Sequence, residues 1–403
     1  MKNSILFLLI LLIIQGCKQN KDDPFNNEKK DTYLNPIIAG DYPDPSVVKV
    51  GDDYYMTHSS FEYVPGLLIW HSKDLVNWEP VCNALNEYLG SVFAPDLIYH
   101  DSLYYIYFPV AQVENGRFAS FSNFVITSKS PEGPWSDPVD LRVGNIDPGH
   151  VVDDEGNRFL MLSKGYLVPL NETGDSVTGE MEKVYDGWEF PDEYLVECFC
   201  LESPKYTKHN DYYYLTVAEG GTAGPATSHM VVSSRSKTPW GPWEHSPYNP
   251  IVKTWSADEK WWSKGHGTLV EGPGHKWYVF YHGYEKGFYN LGRQTLMEPI
   301  EWTEDNWFKV PDEVKTDQPI AIPEGEKVSQ GLTLSDDFNG ERPGLQWRFY
   351  KEYDPERFFI SNGELTIKGK GSSPVDCGPL LSIPGDHAYQ IETKLTLSDD
   401  ASG

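Results

Sequence analysis

The sequence predicts an all-β fold, a five-bladed β-propeller followed by the start of a β-sandwich, and three observations predict it. First, a short aromatic strand segment recurs five times. The copies are Asp52-Asp53-Tyr54-Tyr55-Met56, Asp101-Ser102-Leu103-Tyr104-Tyr105, Glu155-Gly156-Asn157-Arg158-Phe159, Asn210-Asp211-Tyr212-Tyr213-Tyr214 and Gly274-His275-Lys276-Trp277-Tyr278, about 50 to 65 residues apart. Second, no long amphipathic helix pattern interrupts them. Third, the pattern changes after a Pro- and Glu-rich stretch, Pro319 to Lys327. A period of this size with several short strands per unit is the mark of propeller blades. One blade cannot bury both of its faces alone, whereas a ring of blades buries them all. A large β-sandwich is the competing architecture, and it seldom keeps such a repeat.

The elements follow in chain order. Residues 1–17 read as a signal peptide: Lys2 supplies positive charge, and the apolar run Ile5 to Ile14 is too short to span a bilayer comfortably. Ile14-Gln15-Gly16-Cys17 is similar to a bacterial lipobox, in which Cys17 is lipidated and becomes the mature N-terminus. A buried strand or a simple transmembrane anchor is the plainer alternative. Residues 18–32 are polar and read as a flexible tether; Lys21-Asp22-Asp23 resembles the acidic stretch that sends some lipoproteins to the outer surface. Both segments stay outside fold reasoning. They place the protein in the bacterial cell envelope, lipid-anchored to the outer membrane and facing the periplasm or the surface. Residues 33–322 hold the five repeats, most of them followed by a second strand and a turn built on Trp: Asn77-Trp78, Gly133-Pro134-Trp135 and Gly241-Pro242-Trp243. Residues 332–403 read as a partial sandwich. Phe359 to Ile367 is a hairpin around Asn362-Gly363, and Tyr389, Ile391, Thr393, Leu395 and Leu397 alternate with polar residues as in a half-buried strand. Too few residues follow to close two sheets, so the chain reads as a shortened form of a longer protein.

Charge narrows the partners. Lys and Arg total 33 against 60 Asp and Glu, a net charge of -27. Such a field repels nucleic acid and anionic membranes and leaves neutral sugars unaffected. No nucleic-acid partner is expected, and no membrane contact beyond the anchor. The charge is spread along the chain, as on an ordinary solvated surface. Cys82, Cys198, Cys200 and Cys377 match no zinc template. The Cys198-x-Cys200 spacing is too tight for an ordinary disulfide, so all four read as free or buried thiols.

The chemistry sits where each blade begins. About ten residues before each aromatic strand stands a polar residue beside Pro or Gly: Asp44 in Pro43-Asp44-Pro45, Asp96 in Ala94-Pro95-Asp96, Asp147 in Ile146-Asp147-Pro148, Glu202 in Leu201-Glu202-Ser203-Pro204, and His266 in Gly265-His266-Gly267. The first strand of a propeller blade lines the central channel, so these five side chains should converge on the axis. Asp-Pro alone is an ordinary turn former; placement at equivalent points of repeated units is harder to obtain by chance. Carboxylates crowded into one funnel repel one another, and a fold tolerates this where it needs shifted pKa values. Glycoside hydrolysis needs such a set, a carboxylic acid for the leaving oxygen and a carboxylate for water or the sugar.

At this point the sequence resembles glycoside hydrolase family 43, from Asn35 to about Glu301. The resemblance rests on Gly40-Asp41-Tyr42-Pro43-Asp44-Pro45-Ser46, on Gly66 to Trp78, and on Phe93-Ala94-Pro95-Asp96. It rests also on Ala218-Glu219-Gly220-Gly221-Thr222, Gly265-His266-Gly267 and Leu291-Gly292-Arg293-Gln294-Thr295. It implies that Asp44 is the general base, Glu202 the general acid, and Asp147 the carboxylate that raises and orients that acid. The family inverts, which implies about 6.5–9.5 Å between the two reacting carboxyls. Arg293, Phe61, Phe93, Thr222 and His266 match positions lining the terminal-sugar subsite. No cofactor is required, although in some members the histidine at His266 sits, through water, near a structural calcium ion on the propeller axis; a hydrogen-bonded channel histidine is the equal alternative.

The sequence also departs from the family. Many members carry Trp where Phe93 stands, several have His at Asp96, and Asp147-Pro148-Gly149 replaces the commoner Asp-Pro-Ser. The insert Val184 to Phe199, with Trp188 and Phe190, precedes Glu202 and is expected to shape the rim. The expected activity is exo-hydrolysis that releases xylose or arabinose from plant cell-wall oligosaccharides. The alternatives are another furanose or pyranose, endo-action on arabinan, and a surface glycan-binding propeller without catalysis. Retaining fructan hydrolases are disfavoured, since their Trp-Met-Asn-Asp-Pro-Asn signature is absent. Oligomeric state is open.

Overall fold

The computed structural model describes residues 31–373 and 376–397. The signal peptide, Cys17 and most of the tether lie outside the described residues. Among the described residues, five antiparallel sheets follow one another in the chain, the blades of the propeller. Their innermost strands are Ser46–Val50, Asp96–His100, Gly149–Val152, Glu202–His209 and Trp261–Glu271. Each pairs with the aromatic strand that follows it: Asp53–Thr57, Leu103–Glu114, Arg158–Leu162, Tyr212–Glu219 and Trp277–Glu285. The ring is tied shut where Thr32–Tyr33 pairs with Ile320–Ala321. Asn35 adds side-chain bonds to the Met297 and Thr316 carbonyls.

The aromatic repeat is explained by burial between blades. Side chains alternate across a strand, and Tyr54 and Met56 are buried while Tyr55 is half-buried. Tyr54, Met56, Val270, Tyr278 and Phe280 share one apolar cluster between blades 1 and 5; Tyr213, Leu215 and Val217 do the same between blades 3 and 4. Fully burying one such side chain contributes roughly 1.5–3 kcal/mol. The Trp turns close the outer strands. Gly133 and Gly241 adopt φ of 88° and 95°, open to glycine at no steric cost, and their missing Cβ atoms leave room for Trp135 and Trp243.

Beyond the ring, Arg348–Tyr350 pairs with Leu380–Leu381 and with Tyr63–Val64 of blade 1. Phe358–Ser361 and Glu364–Ile367 form the hairpin around Asn362-Gly363. The alternating stretch from Tyr389 to Leu397 is not a strand: Tyr389, Ile391, Leu395 and Leu397 are exposed, with no sheet neighbour among the described residues. Alternation makes a strand only where a partner satisfies its backbone and covers its apolar face. The cysteine reading also needs correction. Cys198 and Cys200 form a disulfide. Cys200 takes a left-handed φ of 43°, and the Cα atoms stand 5.2 Å apart, inside the range a disulfide spans. The thiol of Cys82 is half-buried and donates to the Pro131 carbonyl.

Candidate active site

Four of the five blade-start residues meet at one end of the channel. Three of them, Asp44, Asp147 and His266, have left-handed backbones with φ of 57–60°; beside Glu202 it is Ser203, at 55°, that takes this conformation. Such geometry costs about 1–3 kcal/mol per residue and clusters at functional sites. The His266 ring stands at the centre. Its Nδ1 lies 3.4 Å from Asp44 Oδ1, and its Nε2 lies 3.5 Å from Glu202 Oε1 and 3.7 Å from Asp147 Oδ2. Asp96 also reaches the axis, as expected, but does not join this cluster. It stays in the strand Asp96–His100, and its carboxylate pairs with Lys205 below the cluster.

Asp44 is buried, which alone would push its carboxyl up. Four donors more than offset that. Arg293 NH1 is 3.1 Å from Oδ1, His266 is at 3.4 Å, His282 Nδ1 is at 2.9 Å, and Ser59 Oγ donates to Oδ2 at 2.5 Å. Arg293, His266 and His282 hold the carboxyl well below its usual range. Thr222 Oγ1 lies 3.3 Å from His282 Nε2. The Asp44 backbone N–H also faces His282 Nδ1, at 3.3 Å. Burial pushes His282 down to about 3, so that ring is neutral.

Asp147 behaves in the opposite way. Burial first, then the nearby carboxylates of Glu202 and Asp44, raise it to about 7 against the pull of His266 and a hydrogen bond from the Ser203 N–H. Carboxyls this close titrate as a set, so the proton belongs to the cluster. Burial alone would lower His266, but Asp44, Glu202 and Asp147 raise it to about 9, so it is an imidazolium at neutral pH.

The walls are aromatic. Phe61 and Phe93 pack edge to face, with centroids 5.9 Å apart, and the Arg293 guanidinium lies 5.8 Å from the Phe61 ring. Phe93 continues to the exposed Phe118 at 5.3 Å. A bulge after Phe118 puts that ring 5.8 Å from Phe121 and so on the same side. The insert is anchored on blade 4. Trp188, Phe190, Tyr194 and Val196 pack against its core, and the Trp188 N–H donates to Glu219. Burial raises Glu219 to about 8. Gly149, the departure in the third motif, is also explained: a Cβ there would lie 2.0 Å from the Pro204 carbonyl oxygen, where blades 3 and 4 touch.

Sequence reasoning missed Ser59, His282 and His229. His229 is fully buried, stacks on His266 and His282, and stands 4.0 Å from Glu202. The available signal was a run of polar residues at the inner ends of apolar strands, Thr57 to Ser60 and His282. Glu202, His229 and His266 each bring one donor atom within 4.8 Å of the others. One carboxylate and two imidazoles do not fit calcium, which takes about six to eight oxygens, and the charged His266 is a donor here. Direct calcium ligation by this set is therefore not supported.

A propeller with this site is a glycosidase scaffold, and the comparisons agree. The profile of the glycosyl hydrolases family 43 matches residues 33–308, and the chain belongs to that family. It is 35% identical over 395 residues to a non-reducing end α-L-arabinofuranosidase of Bacteroides ovatus, covering 92% of this chain and 70% of that protein. It is 34% identical to a xylan 1,3-β-xylosidase of Vibrio, covering 68% of this chain and 57% of that protein. Among solved structures, the family 43 protein BlXynB of Bacillus licheniformis superposes with a TM-score of 0.78 at 31% identity, covering 89% of this chain and 72% of that one.

Proposed function

We propose that this glycosidase is an inverting exo-enzyme that releases a terminal xylose or arabinose from plant cell-wall oligosaccharides. Asp44 acts as general base, Glu202 as general acid, and Asp147 as the modulator of that acid. One observation carries the reading: Asp44 and Glu202 contact the two different nitrogens of the His266 ring, at 3.4 Å and 3.5 Å, so both face one site. These two nitrogen contacts cap the separation of their oxygens at about 9 Å, below the upper limit for an inverting pair. Asp44, kept ionised by its donors, takes a proton from water as that water attacks the anomeric carbon. Glu202 gives a proton to the departing glycosidic oxygen. The proton it gives is the one the cluster shares with Asp147, and the His266 imidazolium beside them limits repulsion as charge moves. Arg293 and Thr222 offer donors to the sugar hydroxyls, and Phe61 and Phe93 an apolar wall. The reading needs no cofactor, and no step runs through calcium.

The names of the relatives favour these two pentoses. The test is product release from p-nitrophenyl β-D-xylopyranoside and α-L-arabinofuranoside. Turnover of one should fall at least ~10³-fold in Asp44→Asn and in Glu202→Gln, while the variants still bind product. Unchanged turnover in Glu202→Gln sinks its assignment as the acid. We propose too that Cys17 anchors the protein to the cell envelope; fatty-acid labelling that persists in Cys17→Ala would overturn this.

A further inference from the structure

Asp96 opens blade 2 where the catalytic residues open theirs, yet it lies beneath them. Both of its carboxylate oxygens are occupied. Oδ1 accepts from Lys205 Nζ at 2.7 Å and from Ser46 Oγ at 3.4 Å, and Oδ2 accepts from the His150 backbone N–H at 2.7 Å. Lys205 Nζ also donates to the carbonyls of Pro95 at 2.8 Å and Pro148 at 3.3 Å. Both side chains are buried. One ion pair therefore joins blades 1, 2, 3 and 4 at the axis.

Two of these links end next to the reacting carboxyls. Pro148 follows Asp147, and Lys205 stands three residues after Glu202 on the same strand. Between them the strand bulges, which sets the direction of Glu202. The bulge is held by the Ser203 N–H on Asp147 and by the Gly149–Pro204 approach. Below the pair lies a cavity of about 410 Å³, with His100, His150 and Lys208 in its wall. Asp96 and Lys205 line that space, and Asp44, Asp147, Glu202 and His266 do not. A buried ion pair is a poor source of stability compared with apolar packing. Its geometry, three acceptors around one ammonium, is well suited to fixing backbone separations.

We infer that Asp96 and Lys205 are positioning residues that hold Asp147 and Glu202 in the register needed to protonate the leaving group. This rests on the roles proposed above. The test is a Brønsted series of aryl β-D-xylosides and aryl α-L-arabinofuranosides, from 2,4-dinitrophenyl to phenyl. It uses the full chain, Lys205→Met, and the double variant Asp96→Asn/Lys205→Gln. The double variant removes both charges and so avoids leaving one buried alone. An acid out of place matters most when the leaving group is poor. The variants should lose about 100-fold on phenyl glycosides and less than about 5-fold on 2,4-dinitrophenyl glycosides. Equal loss across the series, or no loss, overturns the inference, because a merely structural role would act on every substrate alike. Failure of the wild-type chain to cleave either sugar series would instead count against the proposed activity, so the two failures are distinguishable.

Discussion

Four groups compete for the Asp44 carboxylate, and each leaves a mark that can be measured. Replacing His282 by Phe removes one hydrogen bond that lowers Asp44, so the acid limb of kcat/KM should move to higher pH. An unmoved acid limb would show that His282 does not tune the base. On the other side of the site, Asp147 is raised to about 7 by burial and by its carboxylate neighbours. Loss of that shared proton should make kcat/KM fall as pH rises through about 7. A rate that stays flat to pH 9 would contradict this. The sequence showed Asp44, Asp147, Glu202 and His266 because each opens a repeat. It hid Ser59, His229 and His282, whose places depend on how second strands and neighbouring blades pack.

At the scale of the element, the contact of blades 3 and 4 turns on Gly149. Its neighbour is the Pro204 backbone carbonyl, which cannot swing aside. Gly149→Ser should therefore cost at least about 2 kcal/mol in denaturant unfolding, although Ser is the commoner family residue there. A variant as stable as the parent would mean that the two strands can separate freely. The insert shows how far sequence reaches. Its position before Glu202 suggested a part of the rim, but its seat against Glu219 and blade 4 followed from tertiary contacts. The Cys198–Cys200 bond was misread for a related reason: spacing alone does not reveal a local turn.

For the whole molecule, stability should depend on pH in a defined direction. His266 is raised to about 9, so the stability it contributes is full below its unfolded value near 6.5 and is lost as pH rises through 9. Asp147 at about 7 and Glu219 at about 8 also bind protons more tightly when folded, and so act with the same sign. His58 and His282, held to about 3, and His150 and His229, held well below the usual range, all chiefly by burial, act oppositely and cost stability as pH falls below about 6.5. The melting temperature should therefore peak near pH 6 to 7 and fall toward pH 9; a maximum at pH 9 would refute this balance. A net charge of -27 adds self-repulsion. Raising salt from about 10 to 150 mM should raise the melting temperature, since the screening length shortens over that range.

The sequence by itself determined the number of blades, the positions that open them, and the family. Those features are local and repeated: an alternating aromatic strand, a turn, and a polar residue at a set distance before it. The tertiary structure decided which of five equivalent residues would meet. Asp44, Asp147 and His266 take left-handed backbones and meet with Glu202, whereas Asp96 stays in its strand and binds Lys205 from another blade. Closing the ring brings residues more than a hundred positions apart within hydrogen-bonding distance, and no pattern along the chain records which pairs will touch.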